Sequence, residues 1–256
     1  MTSLLSNRFF PRYSGAQMIE ESQTKTPLQK AARGAGLGHY GWLLLALVCT
    51  VFFAPMLQDY RIGVRVADMI SALVMVAGVF SAITKRVHIL MLAGIALLAI
   101  SARFVDPFVD TTLTALIAEA LSFLFLLSVF AIILRDVFRT PDVSTDTLVG
   151  SVCGYLILST IFASIYVFLV ILHPDSFMIN AGLGLGQAAL GDEASHYGLT
   201  NYFSIVTLTT VGFGDIVPQN SYARTVVSIE AISGQIYMTL IVARLVGLHL
   251  SRSIRG

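Results

Sequence analysis

Apolar positions in this chain gather into long runs instead of alternating with polar ones, a pattern that predicts helices in a uniformly apolar medium. Six runs approach the ~20 residues that, at about 1.5 Å of rise each, cross a hydrocarbon core of about 30 Å. They cover approximately 41 to 58, 64 to 84, 87 to 105, 112 to 134, 149 to 172 and 226 to 250. The expected fold class is an all-α integral membrane protein with six transmembrane helices. A seventh apolar stretch, around 201 to 209, is too short to cross and has to be re-entrant, shielded from lipid by other protein.

The polar stretches between the runs set the organisation. Residues 1–40 are rich in Ser, Gln, Thr, Gly and charge, contain Pro11 and Pro27, and read as a flexible or membrane-surface tail. This polar leader of about forty residues also argues that the first span is retained and is not a cleaved signal. The first four spans make a four-helix module over 41–134. The stretch RDVFRTPDVSTDTL at 135–148 is broken by Pro141 and offers Ser144 or Thr145 as a cap for the next helix. It reads as an interfacial linker to a second membrane module over 149–250, after which 251–256 is expected as a short tail.

Composition agrees with a bilayer environment, since 56% of residues are apolar and 12% charged, against about 25% charged in soluble domains. The 16 Lys and Arg nearly cancel the 15 Asp and Glu, so neither a nucleic-acid-binding stripe nor an acidic tail is indicated. The placement of positive charge says more. With the amino terminus inside, twelve Lys and Arg fall on the cytoplasmic side and only Arg61, Arg65, Arg103 and Arg224 fall outside. That bias predicts a multi-pass protein of the cell membrane with both termini cytoplasmic.

Other chemistry is thinly represented. Cys49 and Cys153 lie within apolar runs and read as buried structural thiols. The five histidines lack metal-ligand spacing, and neither a cofactor nor a catalytic constellation is expected. The string GLGLGQ at 182–187 follows no strand, so it reads as loop and not as a phosphate cradle.

The re-entrant stretch carries the candidate chemistry. LTNYFSIVTLTT at 199–210 offers Thr200 or Asn201 as an N-cap, then apolar and aromatic residues at helical spacing, and runs directly into Val211 and Gly212. A short helix entering from outside aims its unsatisfied carboxyl-terminal carbonyls at the membrane centre, where they favour a cation. Gly212 and Gly214 permit backbone angles that let successive carbonyls of Thr210 through Gly214 point in one direction. One such strand cannot enclose an ion, but four around an axis can.

TTVGFGD at 209–215, preceded by YFSIVTL and followed by IVP and Arg224, resembles the pore loop of potassium channels. The resemblance is specific over 149–250, in the order outer helix, turret, pore helix, selectivity filter and inner helix. Over the first four spans it is only architectural, matching the six-span channel plan. It implies a homotetramer in the lipid bilayer, with K+ as the transported ion and no nucleic-acid partner. It also implies that the carbonyls of Thr210, Val211, Gly212 and Phe213, with the Thr210 hydroxyl, form successive K+ sites. Gly214 and Asp215 would close the outer mouth. Tyr202 stands where the family often has an aromatic that hydrogen-bonds this aspartate; an aromatic packed in the pore-helix layer is the other reading. Phe213 departs from the family's usual Tyr, which puts the rigidity and inactivation of the filter in question.

On the last span the resemblance places an inner-helix hinge at Gly234, where close helix packing is the competing reading. Gln235, Met238 and Val242 share a face, spaced by three and four, that would line a central cavity. Glu230, one turn above Gly234, is either a functional intramembrane acid or a hydrogen-bonded structural strut. Gly150 and Gly154 form a G-x-x-x-G read as packing, and Arg65 with Asp68 and Arg103 with Glu119 read as structural ion pairs. The fourth span, 112–134, has no arginine, so the six-span plan lacks the charges of a voltage sensor.

These readings converge on a potassium-selective channel without steep intrinsic voltage sensing. A weakly selective monovalent cation channel and a non-conducting membrane sensor or accessory subunit stand as alternatives. A transporter built on the same loop would carry four loops in one chain, and this chain has one.

Overall fold

The computed structural model describes residues 40–53, 63–81, 86–109, 112–139, 145–179 and 193–255, all within one unit, Tyr40–Gly256. Seven α-helices carry the fold among them: α1 Gly41–Val48, α2 Gly63–Ser81, α3 Arg86–Val109, α4 Thr112–Arg139, α5 Thr145–Leu172, α6 Glu193–Leu208 and α7 Ser221–Arg255. The expected tail at 1–39, the loop string at 182–187 and Pro141 with Ser144 lie outside the described residues, as do the side chains of Arg65 and Asp68.

Helices outrun the apolar windows that announce them. The fourth ends at Arg139, not 134, because its last turns still bury Val137 while displaying charge on the other side. The last begins at Ser221, not 226, with Asn220 as its cap: the Asn220 Oδ1 accepts the Ala223 N–H at 2.8 Å. It continues to Arg255, through most of the expected 251–256 tail. The first helix passes at Cys49 into a π-helical turn, Cys49–Phe53, which contains Thr50, whose hydroxyl donates to the Ala46 carbonyl at 3.0 Å.

Among the described residues three helices are long and apolar enough to cross a membrane by length and composition: Thr112–Arg139, Thr145–Leu172 and Ser221–Arg244. Gly41–Phe53, Met69–Ser81 and Ile89–Val105 are shorter apolar helices among the described residues.

α5 is the central element. It packs against α1, α4, α6 and α7, and fifteen of its 28 residues are buried. Small residues let its neighbours approach. A Cβ at Gly150 would meet the Tyr40 ring at 2.9 Å, and one at Gly154 would meet the Tyr237 hydroxyl at 2.3 Å.

Tyr40, assigned by composition to the polar tail, is 3% exposed and belongs to the membrane module. Its N–H donates to Asp146 Oδ1 at 3.1 Å and its hydroxyl to Asp136 Oδ2 at 2.7 Å. It thus joins the start of α1 to the end of α4 and the start of α5. Burial, then the bond to Asp136, pushes its phenol well above the ordinary tyrosine range, so it remains the donor.

α3 and α4 are tied by the pair Arg103 Nη2 to Glu119 Oε2 at 3.3 Å, with Arg103 Nε donating to Ser122 Oγ at 3.1 Å. Glu119 is 1% exposed, so the carboxylate sits in the bundle with its partner.

Candidate functional site

The site is assembled where α6 ends. α6 begins at Glu193, so Thr200 and Asn201 are not its cap; both lie inside the helix and are buried. Its last turn hands its carbonyls to the segment that follows. Ile205 O accepts the Thr209 N–H, Val206 O accepts that of Val211, and Thr207 O accepts that of Thr210, each at 2.9 Å. Helix-end carbonyls that ordinarily lack a partner are thereby used to fold residues 209–212 back against the helix.

Beyond Leu208 the backbone alternates in hand. Thr210 has φ 58°, Gly212 φ 57° and Gly214 φ 76°, while Val211 and Phe213 between them keep negative φ. Glycine takes this region without penalty, whereas for the β-branched Thr210 it is a strained conformation that surrounding bonds have to hold. Alternation of left- and right-handed residues turns successive peptide groups to the same side, instead of the opposite sides of a strand. Val211, Gly212, Phe213 and Gly214 are all exposed, and a Cβ at either glycine would meet nothing within 4 Å.

The loop is held at both ends. At its outer end the Tyr202 hydroxyl donates to Asp215 Oδ2 at 2.5 Å, while Asp215 Oδ1 accepts the Ile216 N–H at 2.9 Å. Next, β2 (Ile216–Pro218) pairs antiparallel with β1 (Phe177–Ile179), Met178 opposite Val217. Buried Ser176 anchors this pair: its carbonyl accepts the Gln219 N–H at 2.8 Å, and its hydroxyl accepts Asn220 Nδ2 at 2.9 Å. At the inner end Gln235 Nε2 donates to Thr210 Oγ1 at 3.4 Å.

α7 packs behind this loop. A Cβ at Gly234 would lie 2.3 Å from the Leu208 carbonyl oxygen, so glycine is required there for contact with α6. The helix runs unbroken through that position from Ser221 to Arg255, which favours the packing reading of Gly234 over the hinge in this conformation. Gln235, Met238 and Val242 are exposed, on a helix of which 17% of the apolar window is buried, against 56% for α5.

Glu230 is fully buried, at 0% exposure, and bonded from two helices. The Tyr166 hydroxyl of α5 reaches its Oε2 and the Ser204 hydroxyl of α6 its Oε1. Ser204 also bonds the Ser159 carbonyl at 2.7 Å, closing a polar network that joins α5, α6 and α7.

Sequence reasoning passed over Tyr166, Ser204, Ser176, Asn220 and Tyr155. For Tyr155, Tyr166 and Ser204 the available signal was a polar side chain inside an apolar run, which demands a partner, and Ser176 and Asn220, between the runs, offered none; the partners are 26 to 64 residues away and no local spacing names them.

Residues 147–248 match a protein-family model described as an ion channel. No curated protein and no solved structure matches the chain. The match takes in nearly all of α5, the whole of α6 and the 209–215 loop, and α7 almost to its end, and it supports an ion-channel family for this membrane protein.

Proposed function

We propose that this chain forms a potassium-selective channel in which four copies surround one axis and K+ passes through rings of carbonyls from Thr210, Val211, Gly212 and Phe213, with the Thr210 hydroxyl innermost. The observation that carries the reading is the alternation of positive φ at Thr210, Gly212 and Gly214 directly beyond the carboxyl end of a short helix. Aligned carbonyls replace a cation's hydration shell, and the helix dipole adds negative potential on the same side.

Four copies are required because one loop presents one wall. The exposed face of α7 with Gln235, Met238 and Val242 supplies the surface that lines an inner cavity in such a ring. Six spans, with both termini on the cytoplasmic side of the cell membrane, complete the arrangement. The absence of Lys and Arg from 112–134 leaves the four-helix module without gating charges, so opening depends weakly on voltage.

A weakly selective cation channel is favoured by one observation: Phe213 offers no hydroxyl to brace the loop and is 69% exposed. Flux of K+, Rb+ and Na+ into proteoliposomes separates the two. The proposal expects K+ and Rb+ uptake with Na+ excluded; equal Na+ uptake supports the alternative, and no uptake by intact assemblies contradicts both.

A further inference from the structure

The last turn of α6 leaves one carbonyl that the loop does not use. Ile205, Val206 and Thr207 each accept a backbone N–H from residues 209–211, but the Leu208 carbonyl takes its hydrogen from another helix, from the Tyr155 hydroxyl of α5 at 3.1 Å. Leu208 is 0% exposed, and the closeness of Gly234 blocks the other side of the same oxygen. The carbonyl therefore sits buried between α5 and α7, with the Tyr155 hydroxyl as its donor.

That peptide group is the one from which the conducting segment departs. The Leu208 carbonyl belongs to the peptide joining Leu208 to Thr209, and the strained φ of 58° at Thr210 follows one residue later. Only Thr209 separates that peptide from Thr210, and its two ends are both bonded, the Thr209 N–H to Ile205 of α6 and the Leu208 carbonyl to Tyr155 of α5, so the two bonds together set the direction in which the chain enters Thr210. Tyr155 itself is held: its ring packs on that of Tyr237 at 5.7 Å between centroids, and Tyr237 in turn packs on Phe130 of α4 at 6.2 Å.

We propose that Tyr155 is a positioning residue for ion selectivity: its hydroxyl fixes the Leu208 carbonyl and thereby the orientation of the innermost carbonyl ring at Thr210. The inference rests on the reading of 210–214 as a selectivity filter. It adds a determinant in the outer helix, 55 residues before Thr210 and outside the loop motif.

The test is the Na+ to K+ permeability ratio of full-length protein in planar bilayers, for the wild type, Tyr155→Phe and Tyr237→Phe. The ratio does not depend on how much protein is folded, so a loss of stability alone leaves it unmoved. Tyr155→Phe keeps the ring and removes the bond, and the ratio is expected to rise about tenfold toward Na+, the scale of leaving one buried acceptor unpaired. Tyr237→Phe removes a bond of 2.7 Å to the Ser151 carbonyl, remote from the loop, and is expected to keep the wild-type ratio.

A wild-type ratio in Tyr155→Phe, or an equal change in both variants, overturns the role of Tyr155 while leaving the channel reading intact. A wild type that conducts no K+ overturns the channel reading itself. Should Tyr155→Phe fail to assemble, 3-fluorotyrosine incorporated at 155 retains volume and strengthens the donor; a shift of the ratio away from Na+ supports the role, and an unchanged ratio overturns it.

Discussion

Gly212 and Gly214 differ from the other described glycines in having positive φ. Around them space is open, so it is the sign of φ, and not a neighbour, that excludes a side chain. Gly212→Ala is expected to cost about 1 kcal/mol of backbone strain per copy, enough to reorient the loop without unfolding the helices around it. Assemblies of this variant should keep wild-type size in detergent and lose K+ uptake; retained uptake would separate the loop geometry from conduction. Phe213 poses the opposite question, because its backbone fits the alternation while its side chain lacks a polar end. With Tyr202 bonded to Asp215 at 2.5 Å, bracing of the outer end of the loop rests on α6. Tyr202→Phe should therefore speed the decay of K+ current under sustained opening, and identical decay would place the brace elsewhere, in the Ser176 and Asn220 contacts to β2.

At the scale of elements, the small residues of α5 and α7 decide how closely the helices approach. Gly154→Ala would force the Tyr237 hydroxyl from its bond to Ser151, and Gly234→Ala would press on the Leu208 carbonyl, whereas Gly247 faces open space. The first two should each lower stability by about 1–3 kcal/mol, the range for overpacking a tight contact. Gly247→Ala should be neutral, and thermal unfolding in detergent ranks the three; equal midpoints would contradict the packing. Glu230→Leu removes the acceptor shared by the Tyr166 and Ser204 hydroxyls, leaving Ser204 its bond to Ser159, and should cost about 1–3 kcal/mol, while Glu230→Gln retains a partner for both and should cost less. The positions of these helices were legible in the sequence because long apolar runs have few alternatives. Their ends were not: hydropathy falls at the interface, but backbone hydrogen bonding continues to Arg139 and starts again at Ser221. The cap of α7 at Asn220 and the true start of α6 at Glu193 were hidden for the same reason.

For the molecule as a whole, the loop was readable because TTVGFGD is local, whereas its supports come from distant parts of the chain. Tyr155, Tyr166 and Ser176 precede the loop by dozens of residues and reach its flanks, at Leu208, Glu230 and Asn220, only once α5, α6 and α7 have packed. The amino-terminal helices touch α5 through Tyr40, whose N–H bonds Asp146, and α7 through Phe130, and residues 112–134 carry no arginine that could act as a gating charge. With each gating charge worth about 2.3 kcal/mol per 100 mV, its absence predicts that open probability changes shallowly across physiological voltage. The central claim is tested most directly by the reversal potential of purified protein in a planar bilayer with K+ on one side and equal Na+ on the other. A carbonyl-lined K+ filter predicts a reversal potential displaced strongly toward the K+ equilibrium value; a reversal potential near zero with open channels would contradict it.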